Sequence, residues 1–294
     1  MSHDMFEAAL LRRRGWACHM VAMQDGTYEE YPPTFVEHAQ RDRRWCQGNL
    51  QHLRVLDTAG LHWVSRLQLL MGASAYLTSP LWLLLLGVSA IVAAHSEGEI
   101  QIIAPSGWLL ALTVLLLFGP KFMALGWMLA DPVRRQGFGG GWPLVKSVLA
   151  DIPLSALVAP MMMMTQTLAV IDILRGRKSG WAVQNRVSDG ISVSDAARHS
   201  RPHLVLGAAM AVAAVLGWQP AIWMSPIYAG LLAAPLLVAW TSRASIGRAS
   251  ARRGYFLIPE ERRPSPLIRD ARVSPEDLGE PIEVRWAATG EATA

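Results

Sequence analysis

The sequence predicts a mainly α-helical polytopic membrane protein with a short α/β piece at its N-terminal end. Three observations carry that expectation. Of the 294 residues, 52% are hydrophobic, and they gather in long runs rather than spreading evenly. Four runs, over about 70–94, 108–130, 203–218 and 221–241, approach the roughly 20 residues that cross a bilayer. Nearly all the arginines and lysines lie between or beyond these runs, and only on some connections, as expected when basic loops stay cytosolic.

Residues 1–65 read as the end of a soluble α/β domain. Asp4 suits the N-cap of a helix over 5–13, with Glu7 three residues on, and Gly15 stops it. The stretch ACHMVAM (17–23) has the composition of a strand, and Asp25-Gly26 that of a turn. A second helix over 34–56 starts at Thr34, with Glu37 as capping-box partner and Pro32-Pro33 closing the loop before it. One strand and two helices cannot bury a core of their own, so this piece is expected to complete a larger sheet.

Residues 66–241 form the expected membrane domain. The run over 203–218 is slightly short and must borrow flanking residues. Pro80, Pro120, Pro226 and Pro235 inside the runs are tolerated in membrane helices as kinks. A fifth segment, 142–174, is apolar and long enough to span, but it carries Lys146, Asp151, Pro153 and Pro160. Loop 95–107 and the connection at Gln219-Pro220 hold no Lys or Arg, whereas basic residues from Arg134 to Arg201 flank 142–174 on both sides. Both its ends are therefore expected in the cytosol. The helix should lie at the interface, or dip in and return with bends at Pro153 and Pro160. Four crossings keep the N-terminal piece and the tail on the cytosolic side. Residues 242–294 form that tail, which is rich in Pro, charge and small residues after 262 and is expected to be largely disordered there.

Composition also excludes some classes. The N-terminus has no apolar signal core. The two cysteines, Cys18 and Cys46, lack metal-site spacing and argue against a disulfide or zinc framework. No nucleic-acid motif accompanies the net charge of +4.

The chemistry is expected on the helix over 34–56. Arg41, Arg44, Trp45 and Gly48 fall at i, i+3, i+4 and i+7 and share one face. Such a face suits a phosphorylated sugar donor and a sugar acceptor, because Arg forks bind phosphate oxygens and a Trp ring stacks on a pyranose. A juxtamembrane basic helix on anionic lipid headgroups is the other reading. Lys121, inside the second run, either lines an aqueous path or snorkels to the headgroups. Tyr76, Trp82 and Trp127 read as belt aromatics or sugar-stacking rings, and Met161–Met164 as soft packing. FGGGW (138–142) reads as a turn, because it lacks the strand-to-helix setting of a phosphate loop.

RDRRW resembles the Q-x-x-R-W motif of processive family-two glycosyltransferases, with Arg41 in the first place and Gln40 one residue out of register. SHDMFEAALLRRRGW (2–16), YEEYPP (28–33), RDRRWCQGN (41–49) and YFLIPEE (255–261) are together similar to the osmoregulated periplasmic glucan glucosyltransferase H family, and to its C-terminal portion. An Arg at 41 fits that subfamily better than it fits cellulose synthase. The resemblance implies that 1–65 is the remnant of a GT-A glycosyltransferase domain. It implies that Asp4, in the HD-x-x-E pattern, is the general base taking the acceptor hydroxyl proton, with His3 and Glu7 supporting it. Asp4 as a helix cap alone is the plainer alternative. Trp45 would floor the acceptor glucose, and Arg44 and Arg41 would orient diphosphate or acceptor, while one of Arg41 and Arg43 faces lipid. Loop 176–200, with Trp181, stands where cellulose synthase-like enzymes carry a gating loop, though a plain connector reads as well.

The implied partners are UDP-glucose, the growing glucan, membrane lipid and a periplasmic glucan-processing protein, with no nucleic acid. The implied location is a bacterial inner membrane. No Asp-x-Asp motif precedes Asp4, so no cofactor is expected on this chain, and a divalent cation (Mg or Mn) is expected in a missing N-terminal half. The rival readings are another processive polysaccharide synthase and a non-catalytic membrane channel or scaffold subunit.

Overall fold

The computed structural model describes residues 3–19, 28–29, 31–95, 107–177, 180, 190–216 and 224–272. Among them every regular element is helical. The strand expected over 17–23 falls largely outside the described residues, and 17–19 are irregular.

Helix α1 (His3–Arg13) begins one residue before Asp4. Asp4 therefore sits in the first turn rather than at the cap, where a carboxylate still meets the positive end of the helix dipole. Helix α2 (Phe35–His52) starts as its cap predicts: the Thr34 hydroxyl accepts from the Glu37 N–H at 3.3 Å. The reciprocal half of a capping box is not formed through Glu37 Oε2, which is buried without a partner. One 3-10 turn (Leu53–Val55) ends the helix.

Helix α3 (Trp63–His95) begins seven residues before the apolar run. His62 caps it, its Nδ1 accepting from Val64 N–H at 3.2 Å. Its first turns are held by packing as well as apolarity: Leu61 and Leu69 bury against Ala9, Met5 and Phe6 of α1. Helix α4 (Gly107–Ala130) follows the predicted run closely. Asp131 then caps the short α5 (Pro132–Gly137), accepting from Val133 and Arg134 N–H at 2.9 and 3.2 Å. The FGGGW stretch is indeed a turn, with φ of 90° at Gly139 and 112° at Gly140, values that suit residues without a Cβ.

Helix α6 (Gly141–Leu174) is one continuous helix through Pro153 and Pro160. The expected variant in which this segment dips in and returns is thus corrected. No break interrupts the helix, because Pro removes one backbone bond without forcing a reversal. After it come α7 (Val193–His199), α8 (Arg201–Val215), α9 (Ser225–Thr241) and α10 (Ala244–Arg252). Part of the tail after 262 is helical. Helix α11 (Pro259–Arg262) is followed by α12 (Pro266–Arg272), and 273–294 lie outside the described residues.

Helices α3, α4 and α6 are long and apolar enough to cross a membrane, and a fourth span arises if α9 and α10, bent 81° apart, count as one. The protein is a mainly helical membrane protein. Length and apolarity alone pick α6 as readily as α3, and class α8 as a shorter apolar helix. The flanks of α3 and α4 are exposed aliphatic surface, such as Leu85 at 62% and Leu116 at 69%, as lipid-facing helices require. Helix α6 is the hub. Met161 packs with Ala234 and Val238 of α9 and Ala196 of α7, while Ala169 and Val170 pack with Cys46 and Leu50 of α2. At Gly230 of α9 a Cβ would stand 2.4 Å from the Leu157 carbonyl, so only glycine permits this approach of α9 to α6.

Candidate functional site

The site grows from α2. Its unbroken turns carry Arg41, Arg44 and Trp45 on one face, as the spacing predicted. Trp45 leaves 39% of its surface open, whereas Gly48, one turn on, is buried. Arg41 is paired with Glu29 of the YEEYPP loop at 2.6 Å, so that loop is tied to the helix above it. Arg43 is bonded across to α6. It donates to Asp172 Oδ2 of α6 at 3.0 Å and to the Arg177 carbonyl at 3.4 Å, and Arg177 also pairs with Asp172 at 3.2 Å. Arg41 and Arg43 thus each have a carboxylate partner within the protein. Arg44 is half-buried.

The helices that carry Asp4 and Trp45 meet on α3. Asp4 and Glu7 are exposed on the first turns of α1. The next residue, Met5, and Asn49, one turn beyond Trp45, both press on Gly72 of α3. A Cβ there would lie 3.5 Å from Met5 Sδ and 2.3 Å from Asn49 Oδ1. Asn49 also donates to the Trp45 carbonyl at 2.9 Å, and the Phe6 and His52 rings stack at 6.4 Å. The helix with the expected base and the helix with the expected acceptor ring are thus locked on one span. His3 belongs to α1, and nothing more is described of its side chain. Trp181 lies outside the described residues.

Two features of the site escaped sequence reasoning. Asp42, inside the charged run, takes bonds from Tyr76 of α3 and Gln166 of α6. Tyr76 is accordingly a hydrogen-bonding residue here. A lone Gln in an apolar helix was the available signal, since a buried amide needs partners. Beside Asp42, burial, and next the Asp42 charge, push the Cys46 thiol up to about 12, so it stays protonated and unreactive.

Lys121 has a partner that neither expectation named. Its ammonium pairs with Asp151 of α6 and lies 3.3 Å from Ser155 Oγ, which itself donates to Asp151 at 3.2 Å. An ion pair in an apolar segment fits the usual neutralisation of such charges. Lys121→Met should strand the carboxylate and lower the protein recovered in washed membranes several-fold. Lys121→Met with Asp151→Leu should restore it, and immunoblots of those membranes check both. In the loop before α8, Ser192 caps α7, and that hydroxyl, with Arg198 second, holds the exposed Asp195 carboxyl below its ordinary range. A shallow groove of about 300 Å³ opens between Tyr31, Phe35 and His38 on one side and Val158, Met162 and Thr241 on the other. Among the described residues no cluster of three or more His, Cys, Asp or Glu is placed to hold a metal ion.

Comparison with known proteins finds relatives of this sequence. The model for "Glycosyl transferase family group 2" matches residues 1–130, a range that contains Asp4, Arg41, Arg44, Trp45 and Lys121. A Shewanella oneidensis protein named glucans biosynthesis glucosyltransferase H is 40% identical over 97% of this chain and 42% of its own length. Its namesakes from Xylella fastidiosa and Rhodopseudomonas palustris are 39% and 41% identical, over 91% and 84% of this chain and 44% and 37% of theirs. The chain is a homologue of glucans biosynthesis glucosyltransferase H. It spans about two fifths of the length of those glucosyltransferase H relatives. The expected resemblance therefore holds over nearly the whole chain, the YFLIPEE stretch included in the longer matches. No solved structure matches.

Proposed function

We propose that this chain works as the C-terminal part of an inner-membrane glucosyltransferase that builds the backbone of osmoregulated periplasmic glucans from UDP-glucose and helps pass it across the membrane. The observation that carries the reading is the conjunction at Gly72. The helix bearing Asp4 and the helix bearing Trp45 meet on one span, within a chain about 40% identical to glucosyltransferase H proteins.

In the proposed step an acceptor hydroxyl oxygen attacks the anomeric carbon of the donor glucose. The bond from that carbon to the diphosphate breaks, UDP leaves with the electron pair, and the proton passes to the Asp4 carboxylate. Trp45 stacks under the acceptor sugar, and Arg44 and Arg41 orient acceptor or diphosphate. His3 and Glu7 support Asp4. Residues 1–65 complete a GT-A domain whose remaining strands, and whose divalent cation, belong to residues outside this chain. Lys121, neutralised by Asp151, stands beside the glucan path, and the loop with Trp181 gates it. Lipid and a periplasmic glucan-processing protein are the further partners.

The proposed topology has four crossings, with α6 along the cytosolic face. Support comes from what touches its ends. At one end Lys146 donates to the Arg253 carbonyl and Ser147 Oγ accepts from Phe256 N–H at 2.9 Å. At the other, Asp172 pairs with Arg43 of α2. The C-terminal end of α9, at Thr241, shares a groove with Tyr31 and Phe35 at the start of α2, so tail and α2 adjoin. Reporter fusions at Gly98 and Gln219 should read periplasmic, and those at Gly140, Ser188 and Pro264 cytosolic. A periplasmic signal at Ser188 would break the four-span arrangement.

The activity is tested with a chimera in which this chain replaces the matching segment of the Shewanella oneidensis relative. Membranes carrying it should incorporate glucose from UDP-glucose into polymer. Incorporation that survives removal of the 1–65 piece would sink the reading.

A further inference from the structure

Residue 42 lies between arginines, a place where a carboxylate is ordinarily part of a solvated face. In the folded chain it points into the protein. Asp42 Oδ1 accepts from the Tyr76 hydroxyl at 3.1 Å, and Oδ2 accepts from Gln166 Nε2 at 3.0 Å. Gln166 Oε1 in turn accepts from Ser79 Oγ at 2.5 Å. One network therefore joins α2 to α3, α2 to α6 and α6 to α3, once each. One turn along α2, Cys46 is fully buried against Ala169 and Val170, with Tyr76 closing the same cluster. Both donors to Asp42 are neutral, and the adjacent Arg43 is engaged with Asp172.

We propose that Asp42 is the positioning residue of the acceptor helix: by accepting from Tyr76 and Gln166 it sets the rotation of α2 and so aims Trp45 and Arg44. The aiming part rests on the glucosyltransferase reading. Asp42 and Trp45 are three residues apart and so are neighbours round the helix, about 60° from one another. A side chain on a helix reaches about 5–6 Å from the axis, so a turn of α2 by about 20° carries the Trp45 ring about 2 Å sideways. A misplacement of about 1 Å can cost about a hundredfold in rate. Fixing this rotation is therefore a requirement of the site and not only of the fold.

Paired substitutions separate positioning from a role that needs charge. In Asp42→Asn the new Oδ1 still accepts from Tyr76. The new amide donates to Gln166 once the Gln166 amide turns over, and Gln166 then donates to Ser79, whose hydroxyl both gives and takes. Every bond survives without the charge. Asp42→Leu keeps the bulk and loses every bond.

In the chimera, Asp42→Asn should retain most polymer synthesis, and Asp42→Leu should lose about ten- to a hundredfold at equal protein in the membrane. Trp45→Ala should then matter much less in the Asp42→Leu background than alone. Equal losses from Asp42→Asn and Asp42→Leu would assign Asp42 a charge-dependent role and overturn the proposal. So would independent, multiplying effects of Asp42→Leu and Trp45→Ala when the two are made together.

A second measurement needs no activity. In membrane vesicles carrying the chain itself, a maleimide should label exposed Cys18 and spare buried Cys46. Asp42→Leu should raise Cys46 labelling about tenfold relative to Cys18, an expectation set by the loss of the two bonds that dock α2. Asp42→Asn keeps the bonds and removes only the lesser of the two causes that hold the Cys46 thiol up, so it should raise labelling far less than Asp42→Leu. Cys46 that stays protected in Asp42→Leu would show that α2 is held without Asp42. If Asp42→Leu does not accumulate, Tyr76→Phe and Gln166→Leu, each removing one bond, should give the same pattern at smaller size. Labelling as expected together with an unsubstituted chimera that makes no polymer would overturn the glucosyltransferase reading and leave the hold of Asp42 on α2 standing.

Discussion

Asp4→Asn in the chimera leaves the protein in the membrane and lowers glucose transfer from UDP-glucose about a hundred- to ten-thousand-fold. The amide has nearly the size of the carboxylate and sits on the exposed first turn of α1. It cannot accept the acceptor proton. Loss of the favourable charge at the helix N-terminus costs only about 0.3–1 kcal/mol, so α1 stays folded. Polymer synthesis at equal protein is the measurement. Near-normal turnover would leave Asp4 a helix-end charge and nothing more.

The second large effect is expected at Trp45. Trp45→Ala removes a stacking surface worth about 1–3 kcal/mol for an aromatic–ring contact of comparable area, so polymer yield should fall about ten- to a hundredfold. Membrane attachment should not change, because the spans hold the protein. Arg43→Gln is the contrast. The headgroup-anchor reading would make its effect vary with anionic lipid content. In the folded chain Arg43 is committed to Asp172, so its loss should loosen α2 from α6 and be insensitive to lipid charge. Yields from the two variants in vesicles of differing anionic content separate these outcomes.

What was legible in the sequence was local. The Thr34 cap, the shared face of Arg41, Arg44 and Trp45, and the length of α4 all follow from spacings within a few turns. The start of α3 was not legible, because His62 does the capping and is not a usual capping residue. The anchoring role of Asp42 was hidden because its partner Gln166 is 124 residues away, and no local pattern encodes such a pairing. The partner of Lys121 was hidden for the same reason. Asp151 is only a blemish in an apolar run until α4 and α6 stand side by side. The continuity of α6 was also illegible, since Pro153 and Pro160 signal a bend, while neighbouring helices decide whether it occurs.

The account stands most directly on whether the chain supplies a working acceptor site. The decisive measurement is radiolabelled glucose passing from UDP-glucose into polymer in membranes carrying the chimera, set beside the same chimera with Asp4→Asn. The account predicts polymer from the first and almost none from the second at equal protein. A chimera that inserts in the membrane and makes polymer equally well with and without the Asp4 carboxylate would contradict it.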